Sequence, residues 1–398
     1  MIGRKLTHSL KKAASQYPVV TLTGPRESGK TTLVQAAFSR HDYVSLEDPE
    51  QRSLALDDPR SFLDQFSRPV IFDEAQRAPE LFSYIQTIVD AENRPGRFIL
   101  TGSQNFLLVR TISQTLAGRC AIHHLLPFSL SELSGWPDLD VDQIGRRIPT
   151  ARNQPVQEPF ETLFTGFYPR IHDMKLDPQD WLKNYTQTYL QRDVRDLINV
   201  GDLETFRRFM ALCAGRCGQL LNLVSLGADC GITHTTARRW LSVLEASFIV
   251  TLLRPHHQNF NKRLIKSPKL YFLDTGLLCY LLKIRKPEDL RFHGYRGSIF
   301  ENYVIAEFYK KALHAGKEAD LFFWRDSSGH EIDLILDEGE KAIPVEIKSG
   351  QTVAKDFFKG IDYYRKISGD GSMPAALIYA GNRSYKHGDT AVYSWWNF

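Results

Sequence analysis

Gly24-Pro25-Arg26-Glu27-Ser28-Gly29-Lys30-Thr31-Thr32 is the stretch whose reading decides the fold. Residues 24–31 fit G-x-x-x-x-G-K-[ST], directly after the apolar run 19–22 and before a stretch with helical periodicity. A strand on one side and a helix on the other is the setting in which such a loop cradles phosphate. The glycines let backbone N–H groups curl around phosphate oxygens, and the helix start adds partial positive charge. Residues Gly24 to Thr32 are therefore expected to grip a nucleoside triphosphate, with Lys30 reaching its outer phosphates and Thr31 ligating Mg²⁺.

Working outward, Val70-Ile71-Phe72-Asp73-Glu74 reads as a buried strand ending in two carboxylates. Asp73 suits the surroundings of Mg²⁺, and Glu74 suits a general base that polarises the attacking water. Phe98-Ile99-Leu100-Thr101-Gly102-Ser103-Gln104 is a further strand with a polar end, and the C-terminal ends of such strands face the ligand crevice. Ser103 or Gln104 is then placed to sense the γ-phosphate. Arg119 is the candidate for an arginine finger or sensor that steadies transition-state charge, against the plain reading of a surface arginine. Short β-type runs at 19–22, 43–46, 70–72 and 98–100 alternate with helical stretches, which implies a parallel sheet covered by helices.

These motifs, together with Gly166-Phe167-Tyr168-Pro169, Tyr189-Leu190-Gln191-Arg192-Asp193-Val194-Arg195 and the run from Lys262 to Asp274-Thr275-Gly276, resemble the prokaryotic AAA+-type ATPases that carry a C-terminal domain of unknown function. The resemblance covers nearly the whole chain. It implies ATP binding, a winged helix and a restriction-endonuclease-like end, and it leaves the biological role open; ATP hydrolysis with Mg²⁺ is the expectation from the motifs themselves. Arg192 and Arg195 fit either a lid over ATP or ion pairs with Asp193 and Asp196.

Composition limits the classes. A chain of 398 residues, 42% hydrophobic and 24% charged, allows two or three globular domains. A formal charge of +4 is too small to imply nucleic acid by itself, so a basic surface must come from local clustering. Five scattered cysteines give no zinc spacing and fit a reducing, cytoplasmic compartment; Cys213 and Cys217 read as core packing. Residues 1–18 lack the apolar stretch of a signal peptide, and no apolar run reaches a membrane span, so no membrane partner is expected. An oligomer is compatible with all of this.

The expected architecture is α/β multidomain. A P-loop sheet domain occupies 1–134, a linker and helical lid-like region 135–200, a winged helix-turn-helix 201–292, and a restriction-endonuclease-like α/β domain 293–398. Residues 220–231 followed by Ile232-Thr233-His234-Thr235-Thr236-Ala237-Arg238-Arg239-Trp240-Leu241 read as helix, turn, helix, with Thr233 as cap. Ala237, Trp240, Leu241 and Leu244 share the core face, leaving His234, Thr235, Arg238 and Arg239 outside. A two-stranded wing carrying Lys262, Arg263, Lys266 and Lys269 would add phosphate contacts to DNA. Winged helices also serve protein–protein packing, so a regulatory ATPase switch that binds protein partners is the alternative.

At the C-terminal end, Glu331-Ile332-Asp333 and Glu346-Ile347-Lys348 have the D…E-x-K arrangement of restriction-endonuclease-like nucleases. Alternation along two antiparallel strands would put Ile332, Leu334, Leu336, Ile343, Val345 and Ile347 in the core, with Asp333, Glu346 and Lys348 converging on the other face. Asp333 and Glu346 would then hold Mg²⁺ and Lys348 would orient water. Glu301, beside an apolar helical stripe, needs a partner, and a metal is one candidate. Its segment resembles the helix that brings an extra acidic ligand in Holliday-junction resolvases, and Gln351 resembles a further polar position there.

Overall fold

The computed structural model describes residues 2–103, 115–136, 139–149, 158–189, 203–256, 266–337, 339 and 342–398. Gln104, Arg192, Arg195, Lys262 and Arg263 lie outside the described residues. The chain forms two compact units. The first comprises Met1–Phe128, Ala246–Phe248 and Ala312–Glu318; the second comprises Ser129–Glu245, Ile249–Lys311 and Ala319–Phe398.

The first unit holds five strands: β1 (Val19–Thr23), β2 (Asp42–Ser45), β3 (Val70–Asp73), β4 (Phe98–Gly102) and β5 (Cys120–His124). All pair in parallel, in the order β2-β3-β4-β1-β5. Adjacent residues of one strand enter opposite cores. Phe72, Phe98 and Leu100 pack with Leu81, Phe82 and Ile85 on one side. Ile71, Ile99, Val20 and Leu22 pack with Leu10, Leu33 and Val34 on the other. A sheet covered on both faces explains why its strands read as continuous apolar runs rather than as alternating ones.

The second unit contains a helix-turn-helix and one large sheet. Helices Leu223–Cys230 and His234–Ala246 are joined through Gly231, whose positive φ of 77° ends the first. Asn222 Oδ1 caps the first helix by accepting from the amides of Val224 (3.1 Å) and Ser225 (3.0 Å). Thr233 Oγ1 accepts from the Thr236 amide at 3.2 Å, as its sequence position implied. Ala237, Trp240, Leu241 and Leu244 are buried, and His234, Thr235, Arg238 and Arg239 are exposed. Trp240 fills the core against Phe206 and Phe209, with ring centroids 5.1 and 5.4 Å apart.

The sheet consists of β6 (Val250–Pro255), β7 (Lys269–Phe272), β8 (Leu321–Arg325), β9 (Glu331–Asp337), β10 (Ala342–Lys348), β11 (Ala375–Tyr379), β12 (Tyr385–His387) and β13 (Thr390–Ser394). Its order is β12-β13-β11-β10-β9-β8-β6-β7. The antiparallel pair expected as a wing, β6 and β7, is thus the edge of this sheet, with β6 parallel to β8. One sheet runs across the boundary placed at 292/293.

β9 and β10 pair antiparallel as expected, Val345 opposite Leu334. The expected open outer face is covered, however. Every residue from Ala342 to Ile347 is buried, and the helix Lys359–Ser368 lies on the side of Glu346. A Cβ on Gly360 of that helix would stand 1.9 Å from Glu346 Oε1 and 3.0 Å from the Glu331 carbonyl oxygen, so a larger residue there would force the Glu346 carboxylate to shift. Among the described residues, no helix is long and apolar enough to cross a membrane.

Candidate functional site

In the first unit, parallel pairing brings the ends of β1, β3 and β4 to one edge of the sheet, and the glycine-rich loop leaves from that edge. Gly24 adopts a φ of 153°, and a Cβ there would come within 2.1 Å of the Leu125 carbonyl oxygen. Gly29, with φ 88°, turns the chain into the helix Lys30–Ala37. Lys30 is buried, its Nζ donating to the carbonyls of Gly24 (3.0 Å) and Pro25 (2.8 Å). Its ammonium therefore lies inside the curl of the loop.

Asp73 is the hub. Its Oδ2 accepts from Thr31 Oγ1 at 2.8 Å and from Tyr43 OH at 2.9 Å, while Oδ1 accepts from Thr101 Oγ1. Burial beside this carboxylate pushes the Tyr43 phenol well above its ordinary range, so it stays a donor. Glu74 occupies the left-handed region at φ 54°, uncommon for a residue with a side chain. Its Oε2 accepts from Ser103 Oγ at 3.2 Å and from the Gln76 amide. The loop, Lys30, Thr31, Asp73, Glu74 and Ser103 are thus connected through short contacts.

Arg119 is not among them. Its carbonyl accepts from the Val19 amide, at the start of β1, whereas the loop begins after Thr23 at the far end. A five-residue strand separates the two by roughly 16 Å. Its guanidinium is paired with Asp90, through both carboxylate oxygens. The parallel register places Arg119 at the opposite end of the strands from this loop.

Several residues here carry no sequence signal. Arg4 donates to the carbonyls of Ser28 (2.8 Å) and Leu126 (2.6 Å), tying the loop to the segment after β5. His124 ends β5 level with Thr23, its Nδ1 at 2.7 Å from Thr23 Oγ1. Burial, with a smaller contribution from His123, lowers its pKa to about 4. Only the position of a tyrosine or threonine at a strand end could have flagged Tyr43 or Thr101.

In the second unit Glu301, Asp333, Glu346 and Lys348 are brought together, along with Glu331. Lys348 Nζ contacts Asp333 Oδ2 at 3.3 Å and also Glu346. The Ile347 amide donates to Asp333 at 2.8 Å. Lys269, expected on the outside of a wing as a phosphate contact, is instead 2% exposed. Its Nζ lies 3.1 Å from Glu301 and also bridges to Glu331. Tyr271 OH donates to the same Glu301 oxygen at 2.5 Å. Lys269 therefore supplies the partner that Glu301 needed.

The electrostatics follow from this packing. Burial raises the Glu301 and Glu346 carboxyls, Glu346 strongly because Asp333 adds to it. Burial also works against ionised Asp333, but Lys348, Lys269 and the Ile347 amide together hold it below its ordinary value. Among the described residues no three His, Cys, Asp or Glu side chains are grouped to hold a metal ion. Lys348 takes an oxygen of both Asp333 and Glu346, the pair expected to hold the ion, while Lys269 takes Glu301 and Glu331.

Cys213 and Cys217 pack in the core, and Cys217 Sγ lies 3.0 Å from Asn302 Oδ1. His256 pairs with Asp337 at 3.3 Å.

Residues 16–134 match the AAA domain family, 157–288 a domain of unknown function (DUF8612), and 296–398 a domain of unknown function (DUF4143). Parallel sheet, glycine-rich loop and the AAA match define the class: an AAA-type P-loop ATPase, which binds and hydrolyses ATP, joined to two further domains. The chain belongs to the family of the uncharacterized protein Rv2008c of Mycobacterium tuberculosis, to which it is 33% identical over 386 residues, 96% of this chain and 81% of that one. The uncharacterized protein MJ1544 of Methanocaldococcus jannaschii is 21% identical over 84% of this chain and 76% of its own. Among solved structures, the Walker-type ATPase paby2304 of Pyrococcus abyssi matches 71% of this chain and 96% of its own at 16% identity, with a TM-score of 0.45.

Proposed function

We propose that the chain is a Mg²⁺-dependent ATPase whose nucleotide state governs DNA engagement by the second unit. The observation that carries the reading is the network of Lys30, Thr31 and Asp73 beneath the loop. Ser28 Oγ, buried in that loop, has no hydrogen-bond partner among the described residues and is available to donate a hydrogen bond to a phosphate oxygen. Residues Gly24 to Thr32 hold the triphosphate, and Thr31 with Asp73 would hold Mg²⁺, which supplies charge neutralisation at the phosphates. Glu74, fixed by Gln76 and Ser103, is the base that orients the attacking water, and Ser103 links it to the phosphate end.

DNA is assigned to the exposed side of the helix His234–Ala246. Arg238, Arg239 and the exposed Lys266 contribute there, with Lys262 and Arg263 from outside the described residues. A cavity of about 790 Å³ beside Arg238 is lined by His234, Glu245 and Lys266 as well. The second reading, a regulatory switch that binds protein partners and cleaves nothing, is favoured by one observation: Lys269 is buried and contributes nothing to an outer basic face. Metal-dependent cleavage by the C-terminal cluster has the weakest support, since lysines already hold its carboxylates.

ATP turnover of the full chain, measured with and without single-stranded, duplex and branched DNA, tests both readings, with Lys30→Ala as the control. DNA-stimulated turnover that Lys30→Ala abolishes is expected. Turnover indifferent to every DNA form favours the switch, and no turnover in either protein overturns the assignment.

A further inference from the structure

The carboxylate cluster of the second unit already holds fixed positive charge of its own. Four carboxylates (Glu301, Glu331, Asp333 and Glu346) meet the ammoniums of Lys269 and Lys348 and the Arg325 guanidinium, which reaches Glu331 at 2.9 Å. Lys269 is the unusual member. It comes from β7, at the sheet edge, and its side chain is 3% exposed between Glu301 of the helix Arg296–His314 and Glu331 of β9. Tyr271, two residues along the same strand and hence on the same face, adds its hydroxyl to Glu301.

We propose that the Lys269 ammonium is a built-in replacement for a divalent cation, so that this cluster binds no metal ion and is a structural cross-link rather than a hydrolytic centre. Three features support it. A lysine ammonium offers three donors, and here Glu301 and Glu331 lie on either side of it as oxygens would around an ion. Lys269 cannot easily leave, because its backbone bridges to Leu220 and pairs with Leu253 of β6. A divalent ion added between Glu301 and Asp333 would meet the ammoniums of both Lys269 and Lys348. Removal of this one charge would leave the Glu301 and Glu331 oxygens facing the gap it filled, with the Asp333 charge nearby, which is where an added Mn²⁺ would find carboxylate oxygens.

The test is Mn²⁺ titration of the nucleotide-free full chain, followed by paramagnetic resonance and calorimetry. Wild type and Asp333→Asn are expected to titrate alike and to show no Mn²⁺-dependent rise in Tm. Lys269→Met is expected to bind Mn²⁺ at least ~10-fold more tightly than wild type, and the gain should vanish in the Lys269→Met, Asp333→Asn double variant. A circular dichroism spectrum and a cooperative unfolding transition matching wild type identify folded protein. Wild-type binding of Mn²⁺ that Asp333→Asn removes overturns the proposal, as does a folded Lys269→Met with no gain. Should Lys269→Met fail to fold, the comparison of wild type with Asp333→Asn decides alone.

Discussion

Thr31 donates its hydroxyl to Asp73 across 2.8 Å, joining the first turn of the helix Lys30–Ala37 to the last residue of β3. These residues are 42 positions apart, and their contact sets where the acidic end of β3 stands relative to the loop. Tyr43 OH and Thr101 Oγ1 hold the same carboxylate from β2 and β4. Tyr43→Phe removes one donor to a buried charge and should lower kcat/KM for ATP by roughly 10-fold, with Lys30-dependent ATP affinity retained. Steady-state kinetics beside ATP calorimetry checks this.

Glu74 is held by Ser103 and Gln76, not by the residues of the glycine-rich loop. Glu74→Gln should therefore keep ATP binding while turnover falls by about 10²- to 10⁴-fold. Turnover at the wild-type rate would remove Glu74 from the reaction.

Arg119 sits at the far edge of the sheet, paired with Asp90. Arg119→Ala should leave the ATP affinity of the isolated chain unchanged within twofold. A large loss of affinity in dilute monomeric protein would contradict the placement.

His124 is held neutral by burial, with a pKa near 4 where an unfolded histidine has about 6.5. The unfolded chain binds the extra proton between those values. The stability His124 contributes is therefore complete above pH ~6.5 and lost as pH falls toward ~4. Between pH 7.5 and 5 that loss is on the order of 2 kcal/mol from this group alone. Urea unfolding of His124→Asn at the two pH values should show a pH-dependent loss smaller by about that amount.

Asp274 is buried and accepts from the Phe167 amide at 2.7 Å and the Leu277 amide at 2.8 Å. It both caps the helix Thr275–Leu281 and joins two sequence motifs, at a point where Gly166 and Gly276 approach too closely for any Cβ. Asp274→Ala strands two buried donors and should cost about 2–4 kcal/mol in denaturant unfolding. Asp274→Asn, which keeps one acceptor, should cost less.

The nucleotide site was largely legible because its chemistry is local. A loop, its lysine and the adjacent hydroxyl are contiguous from Gly24 to Thr32, and Asp73 and Glu74 mark the end of an apolar run. The helix-turn-helix was legible for the same reason, since its caps and core face depend on residues three or four apart. The C-terminal strands were also found, but not that both faces of β10 are buried. Alternation indicates one covered face and says nothing of a helix arriving from elsewhere, such as the one whose Gly360 rests on Glu346.

The sequence by itself determined that a glycine-rich loop of the G-x-x-x-x-G-K-T pattern lies between a strand and a helix, because spacing along the chain specifies that geometry. Only the tertiary structure decided which distant charges meet. It sent Arg119 to the opposite sheet edge through the register of β5, and it turned Lys269 from an expected surface contact into the partner of Glu301 and Glu331. The physical reason is that a side chain's partner is set by the pairing of strands and helices far apart in sequence, and no local period encodes that pairing.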